Sequence, residues 1–375
     1  LAALRDFQAA TAGGAGMPDW LGRVAAASIG FAIDTLDLGK MVFGLRLGGS
    51  AAPITMRGGI THPPGSSMAA LWDALGRDAP EFGLTETLDA GGTAWVAARM
   101  NPAAVVAHAP RFQAAARKFV EETAPEQYRA GLLGLIDANE RLMRAMDGRF
   151  VARGGRTADG RGTWTLVWGS RGAAARDATG DIGALAAGLL STLSADLALG
   201  AQIKWQPAAA PVRGTDVDRL TIEIPRAALG PVADAFQPGT GPLRWDVSVA
   251  HGRDRAVLTT DPDLSVIERA LAGTGRGGGL AAGSAPARML AAPAEPGLVE
   301  IGAVDLADGL RNNPALPCPS ARDLPPLHMN LSARASDGSM SFALTFLPGQ
   351  LRNALAMAAT MARCQTETAA AGTVP

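Results

Sequence analysis

A short alternating strand, a turn, a returning strand and then a helix follow one another repeatedly along this chain. Residues 149–170 show the unit best. Phe150 to Arg153 alternates as a strand does, Ala158-Asp159-Gly160-Arg161 supplies a turn, and Trp164 to Trp168 returns. A helical stretch follows from Ala173 to about Leu197. A lone hairpin with one apolar face is marginal in water and needs neighbouring strands and a cover. The repeat therefore predicts the α+β class: antiparallel β-hairpins forming one or two sheets, with Ala-rich helices packed on one face.

The same grammar runs along the rest of the chain. Met41, Phe43, Leu45 and Leu47 alternate with Val42, Gly44 and Arg46, and Ile54–Ile60 returns after Gly48-Gly49. Ser66-Ser67 can cap a helix to about Gly76. A strand at Thr93–Arg99 precedes Asn101-Pro102, an N-cap followed by proline in the first helical turn. His108-Ala109-Pro110 predicts an interruption of that helix before Arg111–Glu122, and a further helix spans roughly Pro125–Met146. Gln202–Gln206 pairs with Arg219–Ile224, Arg244–Ala250 with Ala256–Thr260, and Leu327–Arg334 with Met340–Phe346. Asp261-Pro262 precedes a helix to about Ala272, and Gly349–Cys364 is the last helix. The order of these patterns predicts a duplication with its seam near residue 200. The halves would be 1–198 and 199–375, the second carrying a Gly-, Ala- and Pro-rich flexible loop at 273–296.

Composition removes several classes of function. The net charge is −1 and charged residues make up 18% of the chain, so no overall field recruits nucleic acid. Hydrophobic residues at 47% place the chain among ordered, core-forming proteins. The apolar run Val24–Ile33 is far too short to span a bilayer, and Ile182–Ala201 is broken by Asp196 and several Gly and Ser residues, so no transmembrane segment is expected. The chain opens at Leu1 rather than Met, which reads as a processed form or a fragment.

Local motifs point away from catalysis. Gly273-Thr274-Gly275-Arg276-Gly277-Gly278 spells GxGxxG, but it follows a helix and opens none, so the loop reading prevails over nucleotide binding. Gly169-Ser170-Arg171 sits at a strand-to-helix corner as a nucleophile elbow would, yet Trp168 stands where that elbow needs glycine. His62, His108, His251 and His328 are far apart and form neither HxxxH nor HExxH, so no metal and no cofactor is expected. Asp216-Val217-Asp218 reads as a loop pair and Asp261-Pro262-Asp263 as a helix cap with first-turn charge. A hydrolase whose site is assembled from distant residues stays as the alternative, with Ser170 and His251 as its candidates.

Two features are left over. Trp95, Trp164, Trp168, Trp205 and Trp245 all fall on expected strands. They are either core packing between sheet and helices or the walls of a groove for an apolar small molecule or lipid. Cys318 lies in a Pro-flanked loop and Cys364 ends the last helix; they are either a disulfide or two separate thiols.

Met146-Asp147-Gly148-Arg149-Phe150 and Ser336-Asp337-Gly338-Ser339-Met340 carry the Asp-Gly turns of the repeated unit. In this order of units the chain resembles bacterial cell-envelope proteins, secreted or lipid-anchored, from GC-rich genomes. The resemblance covers most of residues 90–365 and rests on no diagnostic motif. It implies a periplasmic or envelope location and brings no catalytic residues; the residues themselves leave a cytoplasmic location open. The reading is a non-catalytic envelope protein that binds an apolar ligand or serves as a scaffold or assembly subunit with a protein partner.

Overall fold

The computed structural model describes residues 40–46, 54–87, 93–157, 161–230, 233, 240–272, 297–311, 319–346 and 350–371. The expected turn at Ala158-Asp159-Gly160 and the loop at 273–296 lie outside them. The described strands are β1 (Lys40–Arg46), β2 (Ile54–Thr61), β3 (Ala94–Arg99), β4 (Met146–Arg156), β5 (Gly162–Ser170), β6 (Gln202–Val212), β7 (Thr215–Ile224), β8 (Leu243–His251), β9 (Arg255–Thr259), β10 (Leu298–Asp305), β11 (His328–Ser336) and β12 (Ser339–Phe346). All twelve join one antiparallel sheet, in the order β1-β2-β12-β11-β10-β3-β4-β5-β9-β8-β7-β6. The helices are α1 (Ser67–Gly76), α2 (Pro102–Thr123), α3 (Glu126–Ala145), α4 (Gly172–Asp196), α5 (Arg226–Leu229), α6 (Ser265–Ala272), α7 (Asp308–Arg311) and α8 (Gln350–Ala371). The α+β class and its antiparallel hairpins are thus present, in a single sheet.

The strand order has an internal correspondence. Outward from the β3–β10 pairing, the sheet reads β3, β4, β5, β9, β8 one way and β10, β11, β12, β2, β1 the other. In chain order β1, β2, β3, β4 and β5 match β8, β9, β10, β11 and β12, with α1 matching α6 and α4 matching α8. Each side of the sheet takes its outer hairpin from the other stretch of chain. Ile54 of β2 pairs with Phe346 of β12, and Thr165 of β5 pairs with Thr259 of β9. β6 and β7 then extend one side by two strands. Residue 200, where the sequence suggests a seam, falls between α4 and β6, and the sheet contains strands from both sides of it.

Local signals account for the helix starts. Ser66 accepts a hydrogen bond from the Ala69 N–H at 3.1 Å, and the Asn101 side chain accepts from Ala103 N–H at 3.0 Å with Pro102 behind it. Ahead of α6, Asp263 rather than Asp261 accepts the Ser265 N–H, at 3.0 Å. The expected break at Pro110 does not occur: α2 runs from Pro102 to Thr123 through it. The ring removes one backbone bond, and packing of the flanking turns against α1 and α3 holds the helix together across it.

The sheet is covered on both faces. Ile267 and Ala270 of α6, with Leu84, bury Trp95, Ala97, Val151, Val167, Val257 and Ile301 on one face. On the other face Leu142 of α3 packs on Trp168, Val249 and Ala256, and α4 lies over β6 and β7. The long helices α3 and α4 therefore share one face and the short α6 the opposite one. α1 and α2 pack in series beside α3.

Candidate functional site

Three helices of the same layer line an open-sided cavity of about 530 Å³. α2 presents Val105, Ala109, Phe112 and Ala116 to it, an i, i+4, i+7, i+11 stripe, with His108 and Gln113 beside that stripe. α1 contributes Leu71, Trp72 and Leu75, and α3 contributes Ile136, Asn139 and Met143. Met100, on the link between β3 and α2, completes the wall. The size is that of a small-molecule site, and the wall is mostly aliphatic and aromatic with a few polar groups.

The sequence explains why the space stays open. α3 sets small residues toward α4: a Cβ on Gly131 would lie 2.8 Å from Leu189, and one on Gly134 3.1 Å from Leu185. That close approach is on the α4 side; the larger Ile136 and Met143 turn toward the cavity. Asn101 ties the other walls together. Its N–H donates to Leu75 O at 3.0 Å and its side-chain amide to Arg77 O at 2.9 Å, while its Oδ1 caps α2. The end of α1 and the start of α2 are thereby locked to each other. Trp72 is held by its indole N–H, which donates to His62 Nε2 at 2.8 Å.

One polar group in the wall is unsatisfied. Gln113 Nε2 is buried and has no hydrogen-bond partner among the described residues. A buried amide without a partner costs about 1–3 kcal/mol. Its natural partner is an acceptor oxygen on a molecule seated in the cavity.

None of the five tryptophans from the sequence reading lines this cavity; Trp72 is the tryptophan that does. The strand registers place Trp164, Trp168, Trp205 and Trp245 on the helix-bearing face with α3 and α4, and Trp95 on the opposite face in the core under α6. Trp168 is 2% exposed. Trp205 lies against the α4 backbone, where a Cβ on Gly183 would be 2.4 Å from its ring. Trp245 is half-buried, and Trp164 is 58% exposed over Gly154. The five do not converge on one groove.

The two hydrolase candidates are near each other but not joined. Ser170 and His251 flank the β5–β9–β8 segment of the sheet, with Ser170 N–H donating to Asp254 O at 3.1 Å. Both ring nitrogens of His251 are buried without a partner, so no Ser170–His251 hydrogen bond exists. Burial holds the His251 pKa down at about 4; the Arg176 guanidinium adds to this and the Asp218 carboxylate opposes it. The imidazole is neutral at pH 7, and the edge of Trp168 meets it at 6.2 Å and 85°. Among the described residues, no three His, Cys, Asp or Glu side chains gather as metal ligands would. Cys364 carries no free thiol, and Cys318 lies outside the described residues. Among the described residues, no helix is long and apolar enough to cross a membrane.

No known protein family matches the chain, nor does any curated protein or solved structure. The cavity was missed in the sequence because its α2 stripe has the spacing of any core-facing helix. The signal that was available is the pair of polar residues on that apolar stretch, His108 and Gln113, which flank the stripe on its two sides.

Proposed function

We propose that this protein binds a small, largely apolar molecule bearing a hydrogen-bond acceptor, in the cavity between α1, α2 and α3. The observation that carries the reading is Gln113 Nε2, a buried donor with no partner among the described residues, in a wall that is mostly apolar and whose other polar members are His108 and Asn139. A ligand with an ester, ether, ketone or carboxyl oxygen pairs that donor and covers the wall with its hydrocarbon part. Parinaric acid, a fluorescent fatty acid, is a suitable probe, with energy transfer from Trp72 as the readout. It is expected to bind saturably. Ala109→Phe, which fills the cavity, should abolish the transfer. Gln113→Leu should weaken binding by up to about tenfold while leaving the fold intact or stabilised. Parinaric acid that fails to bind, or that binds both variants as it binds the parent, sinks the reading.

The reading includes an envelope or periplasmic location, with a Cys318–Cys364 disulfide. It is supported by the lack of a free thiol at Cys364 and by the presence of two cysteines in the whole chain. Thiol labelling of denatured protein purified from its native compartment should find no reactive cysteine until a reductant is added. Two reactive thiols without reductant would refute the pairing.

A further inference from the structure

The sheet ends differently at its two edges. β6 carries Pro207 and Pro211, breaks register between Gln206 and Ala210, and holds Ala208 at φ 49°. Each of these spoils an edge as a template for another strand. β1 has none of them. Its seven residues pair with β2 in unbroken register, and among the described residues its outer side has no strand. All seven are exposed. Met41, Phe43 and Leu45 alternate along one face and Val42 stands on the other, with Phe43 and Leu45 each 64% exposed. The Phe43 ring meets only the edge of Phe342, at 6.2 Å, among the described ring contacts.

Among the described residues of β1 and β2, the charges have one sign. Lys40 and Arg46 stand at the two ends of β1, Arg57 lies opposite Gly44 on β2, and neither strand contains an acidic residue. The whole chain is nearly neutral, so this is a local feature.

We infer that β1 is a docking edge for an extended apolar segment of another polypeptide with acidic residues at both ends. Such a segment pairs the open backbone groups of β1, packs its alternate side chains beside Met41, Phe43 and Leu45, and sets its carboxylates against Lys40 and Arg46. A second copy of this chain fits less well. Full antiparallel pairing of two β1 strands puts Lys40 opposite Arg46 at both ends, and full parallel pairing puts each cation beside itself. An anionic bilayer suits the side chains but leaves the edge N–H and C=O groups unpaired in an apolar medium.

The test uses the full chain and two fluorescein-labelled peptides, Glu-Glu-Ile-Thr-Ile-Thr-Ile-Glu-Glu and its counterpart with Lys for every Glu. Anisotropy should show the Glu-flanked peptide binding at least about tenfold tighter, with the advantage shrinking as salt is raised. The double variant K40E/R46E, checked by circular dichroism for an unchanged fold, should reverse the preference. N-methylation of alternate peptide bonds in the Glu-flanked peptide should abolish binding. Equal affinity for the two peptides, no binding of either, or indifference to N-methylation would overturn the proposal. So would a dimer in sedimentation equilibrium that K40E/R46E alters, which assigns the edge to a second copy. Capture on phosphatidylglycerol vesicles without peptide binding would assign it to a bilayer and overturn the proposal as well.

Discussion

Acidification from pH 6.5 to about 4 should cost this protein roughly 3 kcal/mol of stability through one residue, His251. The folded pKa of about 4 lies below the unfolded value near 6.5, because burial disfavours the imidazolium. The unfolded chain therefore binds the proton first as pH falls. The stability that His251 contributes in its neutral form is complete above the unfolded pKa. It is lost progressively through that window and is gone below the folded pKa. Urea midpoints at pH 7 and pH 4.5, for the parent and for His251→Leu, check this. The variant should show a much shallower drop between the two, since leucine has similar bulk and nothing to protonate. Asp246, Asp254, Asp263 and Asp305 have carboxyl pKa values held below the usual range, so their contribution is lost at lower pH and cancels in the comparison. Equal acid sensitivity in the two proteins would show that His251 is not the group responsible.

Gly148→Ala should destabilise the fold by about 3 kcal/mol or more. Gly148 lies near the start of β4, in the irregular stretch between Met146 and Phe150, at φ 90°, outside the region that side-chain-bearing residues adopt readily, and a Cβ there would lie 2.1 Å from Met100 O. That neighbour is backbone and cannot swing aside. The same peptide accepts the Met100 N–H at 2.8 Å, so a shift at 148 also moves a wall of the cavity. Gly180→Ala on α4 is the matched control. Nothing lies within 4 Å of a Cβ at that position, and the change should stabilise by roughly 0.5–1 kcal/mol. A mild effect of Gly148→Ala in chemical denaturation would mean that the start of β4 is looser than its geometry implies.

The hairpins could be read from the sequence because a period of two is local: Leu220, Ile222 and Ile224 declare a strand without reference to anything distant. The caps at Ser66 and Asn101 are likewise a matter of two or three residues. Pro110 misled because its local rule, a broken helix, is overridden by the packing of α2 against α1 and α3. The order of the strands was out of reach, since β2 meets β12 and β5 meets β9 through contacts that no local pattern encodes. The tryptophans were legible as strand residues but not as members of a face; a single step of register separates Trp95 from the other four. The cavity was hidden for a related reason. Val105, Ala109, Phe112 and Ala116 look the same in sequence whether a helix or a ligand covers them, and only the isolation of Gln113 distinguishes the two.

The exchange of hairpins across the sheet also sets a timetable for synthesis. Strand β2 leaves the ribosome long before its second neighbour, β12, so Ile54 waits for Phe346. Until then the β1–β2 hairpin displays two open edges, that of β2 with a partner on the way and that of β1 with none among the described strands. Completion of the sheet therefore waits for β12, and the β1–β2 hairpin needs protection until that strand is made.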